Sequence, residues 1–437
     1  MITIIGAGPA GLAAADILVN DGREITIIDQ NHHVGGQYWR HKYGAAFPEK
    51  KFTHLIKDPK INWLLGTTVW QIQKSEEGFA IEFSREGKSE THLCEVLLVA
   101  TGAYERVLPT KGWTTPGCTT AGGLQSLAKG HGVVPGKKIV IAGSGVFALP
   151  VAQSIAEHPG VEIAAIIEAR SFLRWWRNIP GLILNPTKII ESLGYLKYMA
   201  ANKIPLKERK VITEIKSGTN GINSVVIKNS RGRGSEREIE CDLVATTFGF
   251  TPDMTIPSIL GLERRYKFDD VVVKVDSKQR TSLTGVFAAG EVTGIGGHEL
   301  AMTEGALVGL AIINSSGVKS LVLKWRRFRQ QIFADGLYRI YRIPKDWVET
   351  TPRDVVVCRC EEVSLGEIVD SIQELGADSA RVAKLFTRAG MGLCQGRICQ
   401  RNVADIAAVC GKGSKIDPNR ETMRPIAGVV TLGELSD

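Results

Sequence analysis

The first 29 residues, Met1-Ile-Thr-Ile-Ile-Gly6-Ala-Gly8-Pro-Ala-Gly11 followed by LAAADILVNDGREITII and Asp29, decide the fold of the N-terminal domain. A short apolar strand runs into a GxGxxG turn, an alanine-rich helix follows, and a second apolar strand ends at an acid. This order is typical of the βαβ unit that binds a dinucleotide.

Each part of that unit has a chemical task. Gly6 and Gly8 let the backbone turn tightly and approach a pyrophosphate, and Gly11 lets the helix pack closely on the strand. The free amide groups and the dipole at the start of the helix attract phosphate. Asp29 ends the second strand, where it can accept hydrogen bonds from ribose hydroxyls. The pattern therefore predicts a dinucleotide site.

A second unit of the same kind is KKIVIAGSGVFALPVAQSIAEH followed by VEIAAIIEAR. Gly143, Gly145 and Ala148 take the glycine positions, and Glu168 closes the next strand. The acid suits an adenine nucleotide with a free 2′-hydroxyl, so NADH is favoured over NADPH, although Arg170 could contact a phosphate. Three outcomes stay open: functional NADH, a nucleotide with no redox role, and a scaffold that binds nothing.

The order of these units predicts the domain organisation. A later segment, TGVFAAGEVTG at 284–294, again indicates a strand, a turn and a helix, and we expect it to return the chain to the first domain. The prediction is an α/β protein with two doubly wound dinucleotide-binding domains, the second inserted in the first. The predicted boundaries are 1–112 and 248–320 for the first domain, 113–247 for the second, 321–352 for a basic connector, 353–412 for a cysteine domain and 413–437 for a tail.

Length and charge limit the possible classes. A chain of 437 residues is too long for one ordinary core. The excess of eight positive charges does not predict nucleic-acid binding, because it is local: residues 324–345 hold seven Lys or Arg against one Asp. We expect this basic segment to be a solvated helix or a connector whose rings pack inward. A docking surface for an acidic partner is the alternative.

The location is predicted from what the sequence lacks. No basic region or cleavage site precedes the first strand, and no apolar run reaches the roughly 20 residues of a membrane span. We expect a cytoplasmic protein and leave peripheral attachment at the inner face of the membrane open. In a reducing compartment disulfides are not expected. Cys94, Cys118, Cys241 and Cys410 are expected to be buried, small apolar residues.

The other four cysteines form two close pairs near the C-terminus, Cys358 with Cys360 and Cys394 with Cys399. The spacing is CxC, 33 residues, then CxxxxC. Four thiolates can bind zinc or a [2Fe–2S] cluster, since both accept four sulfurs in tetrahedral arrays. Zinc ribbons usually use CxxC pairs, so iron and sulfur are favoured in a redox chain, with zinc and plain buried thiols as alternatives.

Several motifs resemble those of the two-dinucleotide-domain, glutathione-reductase-like flavoproteins. VGGQYW contains Gly36, an ATG turn ends at Gly102, and TGVFAAGE contains Gly290, all in the order of that family over residues 1 to about 315. The resemblance implies FAD in the first domain. The implied FAD contacts are Gly6, Gly8, Pro9, Ala10, Gly11, Asp29, Gln30, Gly36, Gln37, Val69, Thr101, Gly102, Gly290 and Glu291. Glu291 stands where the family usually has Asp.

Disulfide reductases of the same fold carry a redox cysteine pair after the GG turn or in the nicotinamide domain. Gln37, Tyr38 and Trp39 follow that turn here, and the second domain has only Cys118 and Cys241, far apart in the sequence. We therefore do not expect disulfide reduction.

The C-terminal motifs VCRCEEV and TRAGMGLCQGRICQ resemble the bacterioferritin-associated-ferredoxin type of [2Fe–2S] domain. The matching version lies at the C-terminus of the FAD subunits of heteromeric amine dehydrogenases, a group with opine oxidase, D-hydroxyproline dehydrogenase, dye-linked L-proline dehydrogenase and hydrogen cyanide synthase. The resemblance implies that Cys358, Cys360, Cys394 and Cys399 are the cluster ligands. The CxxxxC pair departs from the CxxC of the stand-alone ferredoxin.

The resemblance implies an electron-transfer subunit of a heteromeric dehydrogenase that oxidises a secondary amine or imino acid. The implied partners are a smaller FAD-dependent oxidase-type subunit, with a ferredoxin-like subunit being a further candidate; a flavin shared with a partner stays open. A self-sufficient NADH-dependent reductase and a zinc-stapled scaffold are the alternatives. No catalytic residue is predicted, and His298, at an expected helix start, is not assigned a catalytic role.

Overall fold

The computed structural model describes residues 1–437 except 43, 220, 233, 344–345, 412–425 and 435–437. In these residues the strands β1 to β22 run, in chain order, over Ile2–Ile5, Ile25–Asp29, Ile61–Leu65, Thr68–Ser75, Gly78–Arg85, Lys88–Cys94, Val96–Val99, Ala103–Glu105, Cys118–Thr120, Lys138–Gly143, Glu162–Glu168, Leu206–Glu208, Lys210–Gly218, Gly221–Asn229, Arg237–Glu240, Leu243–Thr247, Phe250–Pro252, Arg264–Lys267, Asp270–Val273, Val286–Ala288, Val356–Cys358 and Val363–Ser364.

The α-helices of the same residues, α1 to α12, are Pro9–Asn20, Ala121–His131, Ala148–Ala156, Ile179–Leu184, Thr187–Ala201, Thr255–Ile259, His298–Ile312, Val318–Ile340, Trp347–Thr350, Leu365–Gln373, Ala380–Thr387 and Gln400–Cys410. Short 3-10 helices cover Lys50–Lys57, Phe172–Asn178 and Gly290–Thr293. None of the helices in the described residues is long and apolar enough to cross a membrane. The cytoplasmic location stays a prediction.

The first compact unit consists of residues 1–104 and 252–335 with the described part of the C-terminal tail. Its parallel sheet has the order β20-β7-β1-β2-β3, and Ile2 pairs with both Ile25 and Val96. All five residues of β2 are buried, as expected for a parallel strand covered on both faces. Helices α1 and α7 pack against each other beside this sheet. The unit also contains the three-stranded antiparallel sheet β4-β5-β6 and the two-stranded sheet β18-β19.

The second compact unit consists of residues 105–251 and the described residues from 336 to 411. Its parallel sheet has the order β12-β11-β10-β16-β9, and the antiparallel sheet β13-β14-β15 accompanies it. The cysteine domain of this unit contains the hairpin β21-β22 and helices α10 to α12. A capping box between Ser364 and Glu367 fixes the start of α10. Two parallel dinucleotide-type sheets confirm the predicted fold class.

The basic segment forms most of α8, and one part of its prediction is wrong. The rings of Trp325 and Phe328 are 58% and 54% exposed and stack on each other at 5.6 Å between centroids. These two rings therefore do not pack inward. Residues 318–335 of the helix belong to the first unit and residues 336–340 to the second.

Candidate functional site

The first glycine turn shapes the start of α1. Gly8 caps the helix without a side-chain hydrogen bond, and Pro9 follows at the first helical position. Gly6 has a φ of 111°, and a Cβ there would lie 2.3 Å from the carbonyl oxygen of Ala100. A Cβ at Gly11 would lie 2.0 Å from the carbonyl oxygen of Gly6. Only glycine permits this close packing of strand, turn and helix.

Two distant loops meet the same helix start. A Cβ at Gly36 would lie 3.0 Å from the Cα of Gly8, and a Cβ at Gly290 would lie 3.1 Å from the Cβ of Ala10. The structure thus brings together three of the motifs that were predicted to bind FAD. The neighbours of this helix N-terminus are glycines, which let a ligand approach the backbone amides closely.

Asp29 is buried at the end of β2, and both of its carboxylate oxygens accept hydrogen bonds from the protein. Oδ2 accepts from the backbone N–H of Ala7 at 2.7 Å, and Oδ1 accepts from the backbone and side-chain amides of Asn31 at 2.7 and 2.8 Å. Oδ1 thus uses both of its lone pairs within the protein, whereas Oδ2 has a further lone pair for a ribose hydroxyl. The acid therefore holds the glycine turn in place as well as lying where a ribose is predicted.

Glu304, a buried carboxylate of α7 that holds the Gly290 loop, was not predicted from the sequence. Its Oε2 accepts from the Gly290 N–H at 3.0 Å and from the Thr293 hydroxyl at 2.8 Å. Its Oε1 accepts from Arg327 Nε at 2.8 Å, and the side chain of Glu304 is 2% exposed. The signal was present, because Glu304 is the one charged residue of the run LAMTEGALVG, and a buried charge must be paired.

Other residues predicted to bind FAD lie around this region with different exposures. Glu291 accepts a hydrogen bond from the backbone of Gly297, and burial raises its pKa to about 6. Thr101 and Gly102 follow Ala100, whose carbonyl faces Gly6. Gln30 and Gln37 are exposed, and the side chain of Val69 packs in the core of the first unit. His298 begins α7 and stacks on Tyr38 at 3.8 Å.

The second glycine turn repeats this geometry within the second unit. A Cβ at Gly143 would lie 1.6 Å from the carbonyl oxygen of Thr247, and Ala148 begins α3. Glu168 Oε2 accepts from the Gly145 N–H at 3.0 Å, as Asp29 does from Ala7. Burial raises the pKa of Glu168 to about 7.

The four clustered cysteines come from two segments of the C-terminal domain. Cys358 ends β21 and Cys360 follows two residues later, while Cys394 and Cys399 lie in the loop that leads to α12. The sulfur of Cys358 accepts from the Gly390 N–H at 3.4 Å. Cys358 and Cys399 are buried, whereas Cys360 is exposed. A Cβ at Gly392 would lie 2.2 Å from the Cβ of Cys360, so glycine lets the two segments approach.

The thiols interact across the two segments in pairs. A hydrogen bond from Cys399, with further bonds from the Gly390 backbone, lowers the pKa of Cys358 to about 5, whereas the contact with Cys358 and burial raise the pKa of Cys399. A backbone hydrogen bond from Cys394 acts to lower the pKa of Cys360, but burial and the Cys394 thiol raise it overall. Among the described residues no three donors surround one point as a single metal ion requires. Four thiolates are the ligand number of a [2Fe–2S] cluster and of a structural zinc ion alike.

The remaining cysteines do not have the low pKa of a redox dithiol. Burial raises the pKa of Cys118 to about 11 and that of Cys241 to about 12. Disulfide exchange requires a thiolate, so these values oppose it. Cys94 and Cys241 are buried as predicted, but Cys118 and Cys410 are only half-buried, so the prediction for those two is wrong.

Comparison with known proteins agrees with both sites. Residues 1–306 match the pyridine nucleotide-disulphide oxidoreductase family, and residues 356–408 match the BFD-like [2Fe-2S] binding domain. The chain belongs to the pyridine nucleotide-disulphide oxidoreductase family. It is an FAD-dependent oxidoreductase with a C-terminal [2Fe–2S] domain, which confirms the two predicted cofactors. The glycine cradle, formed by Gly6, Gly8, Gly36 and Gly290 around the start of α1, and the four paired thiols lie within the two matched segments.

Similar proteins match almost the whole chain of this family member. It is 30% identical over 468 residues to an opine oxidase subunit of Rhizobium meliloti (strain 1021), a match that covers 99% of this chain and 98% of that protein. It is 29% identical to the HcnB subunit of hydrogen cyanide synthase from Pseudomonas aeruginosa, covering 91% and 90%. The fold of L-proline dehydrogenase from P. horikoshii superposes with a TM-score of 0.71 at 19% identity, covering 99% of this chain and 78% of that one.

Proposed function

We propose that this chain is the FAD- and [2Fe–2S]-containing electron-transfer subunit of a heteromeric dehydrogenase that oxidises a secondary amine or imino acid. One observation carries the proposal: a chain matched over 99% of its length by an opine oxidase subunit holds both the flavin-type glycine cradle and the four paired thiols. FAD exchanges two electrons and a [2Fe–2S] cluster one, so the pair converts hydride chemistry into single-electron transfer.

The names of the similar proteins support the substrate class and the need for partners. The similar proteins include a subunit of opine oxidase, a subunit of sarcosine oxidase and an L-proline dehydrogenase. Opines, sarcosine and L-proline are all secondary amines. Two of these three proteins are subunits of larger enzymes. We assign oxidation of the amine to a smaller FAD-dependent partner subunit, and we propose a ferredoxin-like protein for the further partner.

We infer that one face of α8 binds the partner subunit. Val318, Leu321, Val322, Trp325 and Phe328 follow helical spacing and are all more than half exposed. Isolated apolar residues on a surface need no partner, but a contiguous apolar stripe does. Lys319, Lys324 and Arg326 lie between these residues in the sequence. An occupant with apolar residues and an acidic rim would match this surface.

The test is anaerobic reduction of the complex that copurifies with the tagged chain, with L-proline and an opine as electron donors. We expect bleaching of the flavin absorbance and the paramagnetic signal of a reduced [2Fe–2S] cluster. The isolated chain, with the same donors, should show neither. Iron and acid-labile sulfide should be present in equal amounts. Reduction of the isolated chain by the amine, or zinc in place of iron, would contradict the proposal.

Two cysteine variants test which thiols bind the cluster. Cys394→Ser removes a proposed cluster ligand and should abolish the paramagnetic signal while FAD stays bound, because the flavin cradle lies in the other compact unit. Cys410→Ser changes a cysteine outside the proposed ligand set and serves as the matched control. Equal loss of the signal in both variants would count against the ligand assignment.

A further inference from the structure

The second dinucleotide-type turn contacts the chain segment that follows α8. The Ser144 hydroxyl, inside the GSG turn, donates to the carbonyl oxygen of Tyr341 at 3.1 Å. Arg170 Nε donates to the carbonyl oxygen of Arg342 at 3.0 Å. Residues 341 and 342 thus contact both the glycine turn and Arg170, the residue that could contact a nucleotide phosphate.

The side chain of Tyr341 bonds to Trp175 and interacts electrostatically with Glu168, the acid of this turn. The phenol oxygen accepts a hydrogen bond from Trp175 Nε1 at 2.9 Å, and the two rings are edge-on with centroids 6.5 Å apart. Burial, and then the charge of Glu168, raise the pKa of Tyr341. Glu168 is itself 3% exposed and accepts from the backbone of Gly145 and Arg170. The acid expected to bind a ribose is therefore enclosed by the chain's own residues.

Packing of the preceding helix turn holds the segment there. Ile340 is fully buried. A Cβ at Gly336 would lie 1.8 Å from the side-chain oxygen of Asn178, so the last turn of α8 approaches that asparagine at a glycine. Displacement of Tyr341 by a ligand would have to unpack this turn, which costs the burial free energy of its side chains.

Three contacts join the second dinucleotide fold to the cysteine domain within the same compact unit. Trp113 Nε1 donates to the carbonyl oxygen of Val356 at 2.7 Å. Asn402 Nδ2 donates to the carbonyl oxygen of Val107 at 2.8 Å. Arg106 forms a largely buried ion pair with Asp405. The Asn402 bond is buried and the other two contacts are partly buried, and each of them joins specific partners far apart in the sequence.

We propose that the second dinucleotide fold is filled by Tyr341 and Arg342 of its own chain and serves as a platform for the [2Fe–2S] domain, not as a site for NADH or another adenine nucleotide. Electrons then do not enter this chain from NADH. The inference goes beyond the amine dehydrogenase function and does not depend on the substrate, so either can fail without the other.

The first experiment uses the wild-type holoprotein. Acid extraction followed by chromatography should release FAD and no stoichiometric ATP, NAD or NADP. Titration calorimetry with NADH and with ATP should show no saturable heat up to millimolar concentration, and NADH should not bleach the flavin. A copurifying second nucleotide, or saturable binding of either probe, would overturn the proposal.

The second experiment tests the platform with a matched pair of variants. Tyr341→Ala removes the ring from the turn, whereas Tyr341→Phe keeps the ring and loses only the bond from Trp175. We expect the cluster absorbance in urea to be lost roughly tenfold faster in Tyr341→Ala than in the wild type, which corresponds to a free-energy difference of about 1.4 kcal/mol. In Tyr341→Phe the rate should change little. Equal rates of cluster loss in the wild type and Tyr341→Ala would overturn the platform role. If Tyr341→Ala does not fold, the nucleotide analysis of the wild-type protein still tests whether the second fold binds a nucleotide.

Discussion

At the scale of single residues, Glu105 shows how a buried acid makes stability depend on pH. Its Oε2 accepts from the Gly122 N–H at 2.7 Å, and burial raises its pKa from 4.5 to about 7. The folded protein therefore binds more protons than the unfolded chain between these values. The free energy of unfolding should fall as the pH rises from 4.5 to about 7, by at most about 3 kcal/mol.

Glu105→Gln should remove this part of the pH dependence. The amide keeps an oxygen for Gly122 and carries no charge, so the variant should be more stable than wild type at pH 8 and close to it at pH 5. Urea unfolding followed by tryptophan fluorescence at both pH values measures the difference. Glu90→Gln, at an exposed position of β6, is the control. If Glu105→Gln differs from wild type by the same amount at both pH values, the buried acid does not titrate as expected.

The acids at the two turns mark what the sequence could predict at this scale. The position of Asp29 and Glu168 at strand ends followed from spacing alone, and the structure agrees. Their hydrogen bonds to Ala7 and Gly145 did not follow, because a local pattern does not specify which backbone group faces a side chain. Tyr341 was missed for a related reason: it lies about two hundred residues from the turn that it contacts.

At the scale of elements, the packing of α1 on α7 depends on small residues that sequence periodicity does not reveal. A Cβ at Gly305 would lie 2.0 Å from the carbonyl oxygen of Ala10, and one at Gly309 would lie 2.6 Å from the Cβ of Ile17. Both helices were predicted from their own apolar patterns. The need for glycine in α7 could not be predicted, because it arises only when the partner helix is known.

Gly305→Ala tests this interface against a glycine in an open helix face. The added methyl group meets a backbone oxygen, so we expect a loss of stability of about 1–3 kcal/mol, the usual range for overpacking. Bound FAD per chain should fall, because α7 also carries Glu304, which holds the Gly290 loop. Flavin absorbance relative to protein measures this loss.

The control is Gly194→Ala in α5, where nothing lies within 4 Å of an added Cβ. Replacing glycine by alanine inside an exposed helix stabilises it by up to about 1 kcal/mol. FAD content should stay unchanged in this variant. Equal flavin loss in both variants, or none in Gly305→Ala, would contradict the role given to the helix contact.

At the scale of the whole molecule, the association of the parts does not follow from local sequence patterns. The two dinucleotide folds and the cysteine domain each have a local signature. Their association does not: the contacts of Trp113 with Val356 and of Asn402 with Val107 join residues more than 240 positions apart. The structure groups the cysteine domain with the second fold in one compact unit, which is the arrangement on which the proposed platform role depends.

The proposed assembly with a partner subunit makes a prediction about α8. Trp325→Glu combined with Phe328→Glu places two acids in the centre of the exposed apolar stripe, where the expected partner is itself acidic at its rim. Buried aromatic side chains carry much of the energy of an interface, and their loss commonly costs about 2 kcal/mol or more each. Recovery of the partner with the tagged chain should therefore fall by at least about tenfold.

The variant should otherwise be a normal protein, because both rings are more than half exposed. FAD and iron content should match wild type, which separates loss of the partner from loss of the fold. Val133→Glu, at a half-exposed position after α2, adds one negative charge away from the apolar stripe of α8 and should leave recovery unchanged. If the partner is recovered in full with the double glutamate variant, the partner binds elsewhere. If recovery returns to the wild-type level when Trp325 and Phe328 are both replaced by lysine, the sign of the charge decides the interaction.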